Sequence, residues 1–256
     1  MITLGIDIGG SATKGALVDT VSGKLVSDRI RFETEAPVKP REVAALVEKI
    51  RKKLGYHGPI GAGYPGVVKN GVALTAANLH KNWIGTDVGA LIYNQTGQIT
   101  TVLNDADAAG LAEMRFGVEE ARRHKTVLFL TIGTGIGSAL FVNGHLLPNT
   151  ELGHLKIRGK DAEHRASDAV RQRDNLSWKR WGKAFTELLQ TYEFLFNPDL
   201  IILGGGISSK YDSFAEYLKV DTKILPAKLE NTAGIIGAGM AAQESSELRD
   251  QESSAS

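Results

Sequence analysis

Two stretches of the chain repeat one plan, and that repetition restricts the fold more than any other feature. "IGGSATKGALV" at residues 8–18 and "IGTGIGSALFV" at residues 132–142 each place glycines directly after one apolar strand and before another. Glycine allows backbone angles and close approaches that a Cβ forbids, so each copy predicts a tight turn lying against something bulky. A dinucleotide fingerprint and a P-loop both need a helix after the glycines. Here residues 14–18 read as strand, which excludes both and leaves a hairpin. Backbone N–H groups around Gly9 to Thr13 could then form an anion nest, with Asp7 facing a metal that accompanies a phosphate. An ordinary glycine-rich hairpin explains one copy equally well. Two copies at the heads of two lobes predict a duplicated fold gripping one ligand.

The intervening sequence supplies α/β material. Strands are expected at residues 2–8, 14–18 and 24–32 as a meander, and at 60–63; a helix is expected at 40–54, where Val43, Leu46, Val47, Ile50 and Leu54 recur at helical spacing. An Ala-rich helical stretch runs from Asn104 to Lys125. A long helix follows, whose face carries Trp178, Trp181, Phe185, Leu188, Leu189, Tyr192, Leu195 and Phe196, ending at Asn197-Pro198. These aromatics read as core. A strand at 200–203 meets a third glycine turn, Gly204-Gly205-Gly206, and residues 234–243 form a small-residue helix. Two lobes are expected, 1–104 with 234–244 and 105–233. Residues 245–256 are polar and low in complexity and are expected to be disordered.

Composition narrows the chemistry. Hydrophobic residues make up 42% of 256, ample for one core or two. Thirty basic against 29 acidic side chains leave a net charge of +1, so no global field advertises nucleic acid or membrane. The start lacks the pattern of a signal peptide and no run reaches membrane-span length, which predicts a cytoplasmic protein. Cysteine is absent, excluding disulfides, thiolate catalysis and Cys-based zinc sites. Locally, Lys156, Arg158, Lys160, Arg165, Arg171, Arg173, Lys179, Arg180 and Lys183 face only Asp161, Glu163, Asp168 and Asp174 within residues 156–183. Such a strip could hold a long polyanion; a solvated helix face accounts for it as well.

The two hairpins, "LNDADAAGLAE" (103–113), "ELGH" (151–154) and "GGGI" (204–207) resemble, in order, the motifs of the ROK family of sugar kinases, from residue 4 to about residue 240. "NTELGHLKIRGKDAEHRAS" and "NLSWKRW" are similar to the polyphosphate-using glucokinases of that family, where they replace the usual zinc segment. The resemblance implies an α/β fold of the actin-like ATPase and sugar kinase class: duplicated, ribonuclease H-like, with two lobes and a central cleft. It implies phosphorylation of glucose at the 6-hydroxyl by inorganic polyphosphate and/or ATP with Mg²⁺, and a homodimer. Asp105 is the implied general base, and Asn104 its partner at the sugar. Capping of the following helix is an independent use for either residue. The resemblance also assigns Gly66, Asn78, Glu151, His154 and Glu163 to the sugar, although the family's proline before Asn78 is Ala77 here.

Phosphate contacts are implied for Asp7, Gly9, Gly10, Ser11, Thr13 and Lys14, and for Gly133, Thr134 and Gly135. Gly204 and Gly205 resemble the nucleotide-side turn. Asp7 would orient Mg²⁺ through water, and no zinc is expected. Two other readings remain open. One is an ATP-dependent hexokinase of the same family acting on glucose, mannose or an amino sugar. The other, disfavoured, is a non-catalytic sugar-binding regulator: no helix-turn-helix segment is expected ahead of the strand at Ile2, and mere binding does not need Asp105 beside both phosphate loops.

Overall fold

In the computed structural model of the chain, β1 (Ile2–Ile8) and β2 (Ala12–Asp19) pair antiparallel from Ile2↔Asp19 to Ile8↔Thr13. The structure describes residues 1–76 and 79–254. β3 (Lys24–Leu25) and β4 (Ile30–Glu33) both pair with β2, so the single strand expected at 24–32 is two short ones. Helix α1 (Pro40–Lys53) begins as read: Pro40 opens it, the Lys39 N–H donates to Glu42 at 3.0 Å, and Arg51, Lys52 and Lys53 fill the last turn.

β5 (Ile60–Tyr64) pairs parallel with β1, a small hairpin follows (β6, Val68–Lys69; β7, Val72–Ala73), and helix α2 (Val88–Thr96) leads to β8 (Thr100–Asn104), parallel to β5. The order β3-β2-β1-β5-β8 completes a mixed sheet. Leu4, Ile6, Ile8, Val43, Val47, Ile50, Ile60 and Trp83 form its core. Trp83 is fully buried, with its indole N–H on the Val38 carbonyl, so it packs and offers no stacking surface.

The second unit repeats the plan. β9 (Thr126–Ile132) and β10 (Ile136–Val142) are antiparallel, β11 (His145–Leu147) extends them, and β14 (Leu200–Gly204) and β15 (Lys223–Pro226) add in parallel, giving β11-β10-β9-β14-β15. Between them lie a two-stranded hairpin (β12, Lys156–Ile157; β13, Lys160–Asp161), helices α4 (Glu163–Ala166) and α5 (Asp168–Arg173), and the long α6 (Trp178–Phe196). Trp181, Phe185, Leu188, Leu189 and Tyr192 of α6 pack with Leu128, Leu130, Ile201 and Leu203. At the far end of that helix Phe196 still packs against this core, and of the apolar face read from the sequence only Leu195 is exposed.

The helical stretch expected at 104–125 forms α3 (Asp105–Ala112), then a π turn over Glu113–Gly117 and a 3-10 turn over Glu119–Arg123. The Glu113 carboxylate is fully buried and accepts the N–H groups of Lys228 and Leu229, at 3.0 and 2.7 Å. A Cβ on Gly117 would lie 1.7 Å from it. Tertiary hydrogen bonds to that side chain thus replace the regular helix.

The chain divides at this point: residues 1–112 and 232 onward form one unit, 113–231 the other, which puts Asp105 in the first unit rather than at the head of the second. The C-terminal helix (Ala233–Ser254) belongs to the first unit and runs past residue 244 through a segment expected to be disordered. Gln243, Glu244, Glu247 and Leu248 lose little rotamer freedom in a helix, and Gln243 donates to Glu247 one turn on at 2.6 Å.

Candidate active site

Asn104 ends β8 and Asp105 opens α3. The Asn104 side-chain oxygen accepts the N–H groups of Ala106 (2.8 Å) and Asp107 (3.0 Å), making it the cap, and its amide donates to the Gly66 carbonyl at 3.1 Å. Gly66 therefore serves through its backbone. With the cap filled by its neighbour, Asp105 stands half-buried on the first helical turn, accepting the Ala106 N–H at 2.8 Å. Asn78, the other sugar residue assigned to this unit, lies outside the described residues.

The first glycine turn is closed by a hydrogen bond from the Gly9 N–H to the Ala12 carbonyl (2.9 Å), and Thr34 holds the carbonyls of Gly10 and Ser11. Among the described residues nothing accepts the N–H groups of Gly10 and Ser11. The second turn is built alike: the Gly133 N–H donates to the Gly135 carbonyl at 3.0 Å, and the N–H groups of Thr134 and Gly135 have no acceptor among the described residues. Free N–H groups at a turn tip are anion donors. No positive φ occurs at Gly9, Gly10, Gly133 or Gly135, so their use is close approach rather than unusual torsion. A Cβ on Gly135 would meet Glu163 at 2.4 Å, whereas one on Gly133 would meet open space.

Thr13 departs from its assignment: it is fully buried between β1 and β4 and its hydroxyl has no partner, so the side chain is not presented to a phosphate. Lys14 sits across from Asp7, its ammonium 3.1 Å from the carboxylate, with both about one-quarter exposed. The expected metal carboxylate thus already shares a cation. Gly204 and Gly205 are accounted for by packing: a Cβ on Gly204 would strike the Phe129 ring, and Gly205 has φ 76° and lies against the Ile132 backbone.

Glu151, His154 and Glu163 do come together within the second unit. The "ELGH" turn is strapped to β10, where a Cβ on Gly153 would lie 2.1 Å from the Ile136 carbonyl and the Leu152 N–H reaches Ser138 Oγ at 3.1 Å. Tyr192 of α6 donates to the Leu152 carbonyl at 2.6 Å. Nε2 of His154 is 3.8 Å from Glu151 Oε2. Burial pushes the Glu151 carboxyl up, His154 opposes this and Glu163 adds to it. Glu163 accepts the Ile136 N–H at 3.2 Å, so the carboxylate that raises Glu151 also anchors the end of the second glycine turn. The Ala169 N–H, on α5, donates to the Gly133 carbonyl, fastening the basic segment to the same turn.

The basic strip is partly neutralised. Lys156 pairs with Asp161, Arg158 and Arg165 with Glu187, Arg171 with Asp168, and Arg173 with Asp174. Glu187 lies just past the counted window, one α6 turn beyond Lys183. Lys160, Lys179, Arg180 and Lys183 are exposed and carry no ion pair among the described residues. Sequence reading counted Asp161 against the basic strip but not as a partner of His154, and passed over Glu113 and Glu187 as partners. The Arg158-Gly159 turn signal, which sets Lys156 opposite Asp161, could have pointed to that pair alone.

Two mixed sheets of one order, each headed by a glycine hairpin whose tip N–H groups have no acceptor among the described residues, define the fold of actin-like ATPases and sugar kinases. The ROK family pattern matches residues 3–165, and the chain belongs to the ROK family. It is 48% identical to the polyphosphate glucokinase of Mycobacterium tuberculosis (strain CDC 1551 / Oshkosh) over 93% of this chain and 89% of that one. The crystal structure of the inorganic polyphosphate/ATP-glucomannokinase from Arthrobacter sp. strain KM superposes with a TM-score of 0.90 at 43% identity, covering 95% of this chain and 99% of that one. A ROK family glucokinase from Streptomyces griseus, in complex with glucose and AMPPNP, shares the fold with a TM-score of 0.83 at 21% identity, over 95% and 100% of the two chains.

Proposed function

We propose that the chain transfers the terminal phosphoryl group of inorganic polyphosphate to the 6-hydroxyl of glucose, with ATP as a second donor. The observation that carries the reaction is Asp105: a half-buried carboxylate at a strand–helix junction, where Asn104 caps the helix by taking the Ala106 and Asp107 N–H groups. The sugar oxygen attacks the terminal phosphorus, the bond from that phosphorus to the bridging oxygen breaks, and the hydroxyl proton passes to Asp105. In the second unit Glu151, His154 and Glu163 are the residues for sugar hydroxyls, and in the first unit Asn104 is. In each unit the N–H groups at the glycine-turn tip, Gly10 and Ser11 in the first and Thr134 and Gly135 in the second, have no acceptor among the described residues and are the phosphate donors, with Lys14 beside the first turn. Positioning and charge neutralisation are what phosphoryl transfer demands.

The donor assignment is supported by the 48% identity to a polyphosphate glucokinase and by the exposed cations Lys160, Lys179, Arg180 and Lys183, which have no ion pair among the described residues. ATP is supported by the likeness to a kinase named for both donors. The Asp7 carboxylate, about one-quarter exposed, offers the kind of oxygen donor that suits a Mg²⁺ arriving with the phosphates. Asp7 would hold it through water, and it would neutralise charge on the transferring group. No helix among the described residues is long and apolar enough to cross a membrane. We place the enzyme in the cytoplasm as a homodimer.

The deciding experiment measures glucose 6-phosphate formed from nucleotide-free long-chain polyphosphate and, separately, from polyphosphate-free ATP. Turnover with polyphosphate is expected. Turnover with ATP alone would make the chain an ATP-dependent hexokinase, and turnover with neither on any hexose would leave a binding role.

A further inference from the structure

The two ring nitrogens of His154 meet different groups. Nδ1 lies 3.2 Å from Oδ2 of Asp161, and Nε2 faces Glu151. The other oxygen of Asp161 takes the Lys156 ammonium. Backbone geometry sets this arrangement: β12 and β13 place Lys156 directly opposite Asp161, and the two turn residues between them, Arg158 and Gly159, have φ of 50° and 78°. Positive φ at both central positions is the turn that matches strand twist in a two-residue hairpin. The hairpin is pinned to its surroundings, since Arg158 reaches Glu187 on α6 at 2.5 Å and the Ala162 N–H donates to the Leu155 carbonyl at 2.9 Å.

We propose that Asp161 is the positioning residue for His154, fixing the imidazole with its proton on Nδ1 and so leaving Nε2 as an acceptor beside Glu151. A neutral imidazole has one donor and one acceptor nitrogen, and the partner of the first decides the role of the second. His154 is about half exposed, so without Asp161 its ring could turn over and offer an N–H instead. Lys156 and His154 hold the Asp161 carboxyl below the usual carboxylate range, which keeps it an acceptor at neutral pH. Nε2 of His154 and the Glu151 carboxylate then present two acceptors 3.8 Å apart. A ligand satisfies both by donating two O–H groups from neighbouring carbons, which selects a vicinal diol over a deoxy or fluoro sugar. The inference rests on the reading that Glu151 and His154 contact the sugar.

The test compares Asp161→Ala, Asp161→Asn, His154→Ala and the Asp161→Ala/His154→Ala double variant. Glucose KM, kcat and polyphosphate KM are measured, with ¹⁵N NMR of the His154 ring. Asp161→Ala is expected to raise glucose KM about tenfold, the scale of one hydrogen bond to a charged group. Polyphosphate KM should stay put, and the double variant should be no worse than His154→Ala alone, because both changes act through one group. The wild-type ring is expected to carry its proton on Nδ1 and to lose that preference in Asp161→Ala. Asp161→Asn keeps the side-chain volume but can accept from only one of Lys156 and His154, so it should fall between, and it guards against a hairpin that fails to fold. Unchanged glucose KM in both Asp161 variants, or a wild-type ring protonated on Nε2, overturns the proposal. Unchanged glucose KM in His154→Ala removes the sugar contact instead, and the ring tautomer then still decides what Asp161 does.

Discussion

Asp105→Asn removes the proton acceptor while keeping an oxygen able to take the Ala106 N–H, so the change should touch chemistry and little else. Turnover is expected to fall roughly 10²- to 10⁴-fold, the usual worth of a positioned acid or base, with glucose affinity by calorimetry nearly unchanged. Full turnover in that variant would strike Asp105 from the mechanism. Glu151 gives a second residue-scale outcome. Its carboxyl is raised by burial, so the native state binds its proton more tightly than the unfolded chain, and stability falls as pH rises through the native value. Glu151→Gln has no such charge to bury. Its melting temperature relative to the parent should therefore climb as pH rises from about 4, where an unfolded glutamate titrates. A difference flat with pH would mean that Glu151 is not desolvated. Asp105, Glu151 and His154 could be picked from the sequence because they sit in short motifs. The pairing of Asp161 with Lys156 was foreshadowed by the Arg158-Gly159 turn, but its contact with His154 was not, since that comes from how the hairpin lies against the 151–154 turn.

At the scale of elements, the paired and unpaired halves of the basic segment separate two jobs that composition merges. Arg158 and Arg165 tie the segment to Glu187 on α6, whereas Lys179, Arg180 and Lys183 ride the exposed side of that helix without partners among the described residues. Neutralising those three together should raise KM for long-chain polyphosphate more than KM for ATP, and the gap should close at high salt as exposed contacts are screened. Equal effects on both donors would show that α6 does not read the chain. The glycine hairpins, α1 and α6 were legible because periodicity and caps are local. The break after Ala112 was not: an Ala-rich run reads as one helix, and only the bonds from Lys228 and Leu229 to the Glu113 carboxylate interrupt it.

For the whole molecule, the C-terminal helix shows how a distant segment completes a unit. Cβ atoms placed on Gly5 and Gly61 would strike the Ile235 and Ala238 carbonyls at 2.0 and 1.7 Å, and one on Gly237 would strike Ala108 at 1.7 Å. The helix backbone thus lies directly against β1, β5 and α3. Cutting the chain after residue 231 should abolish cooperative thermal unfolding of the first unit, while cutting after residue 243 should leave the melting temperature within about 4 °C, the shift from 1 kcal/mol or less in a chain of this size. A stable first unit without the helix would refute that packing role. By itself the sequence determined the duplicated hairpins and the α/β alternation, and it singled out Asp105, Glu151 and His154 as candidates, because glycine turns, hydrophobic periodicity and motif spacing are properties of neighbouring residues. Tertiary structure alone decided that Asn104 caps α3, that Thr13 turns inward, that Glu187 quenches part of the basic strip, and that Asp161 meets His154. Each of those depends on groups brought together by sheet register and helix packing, which spacing along the chain does not encode.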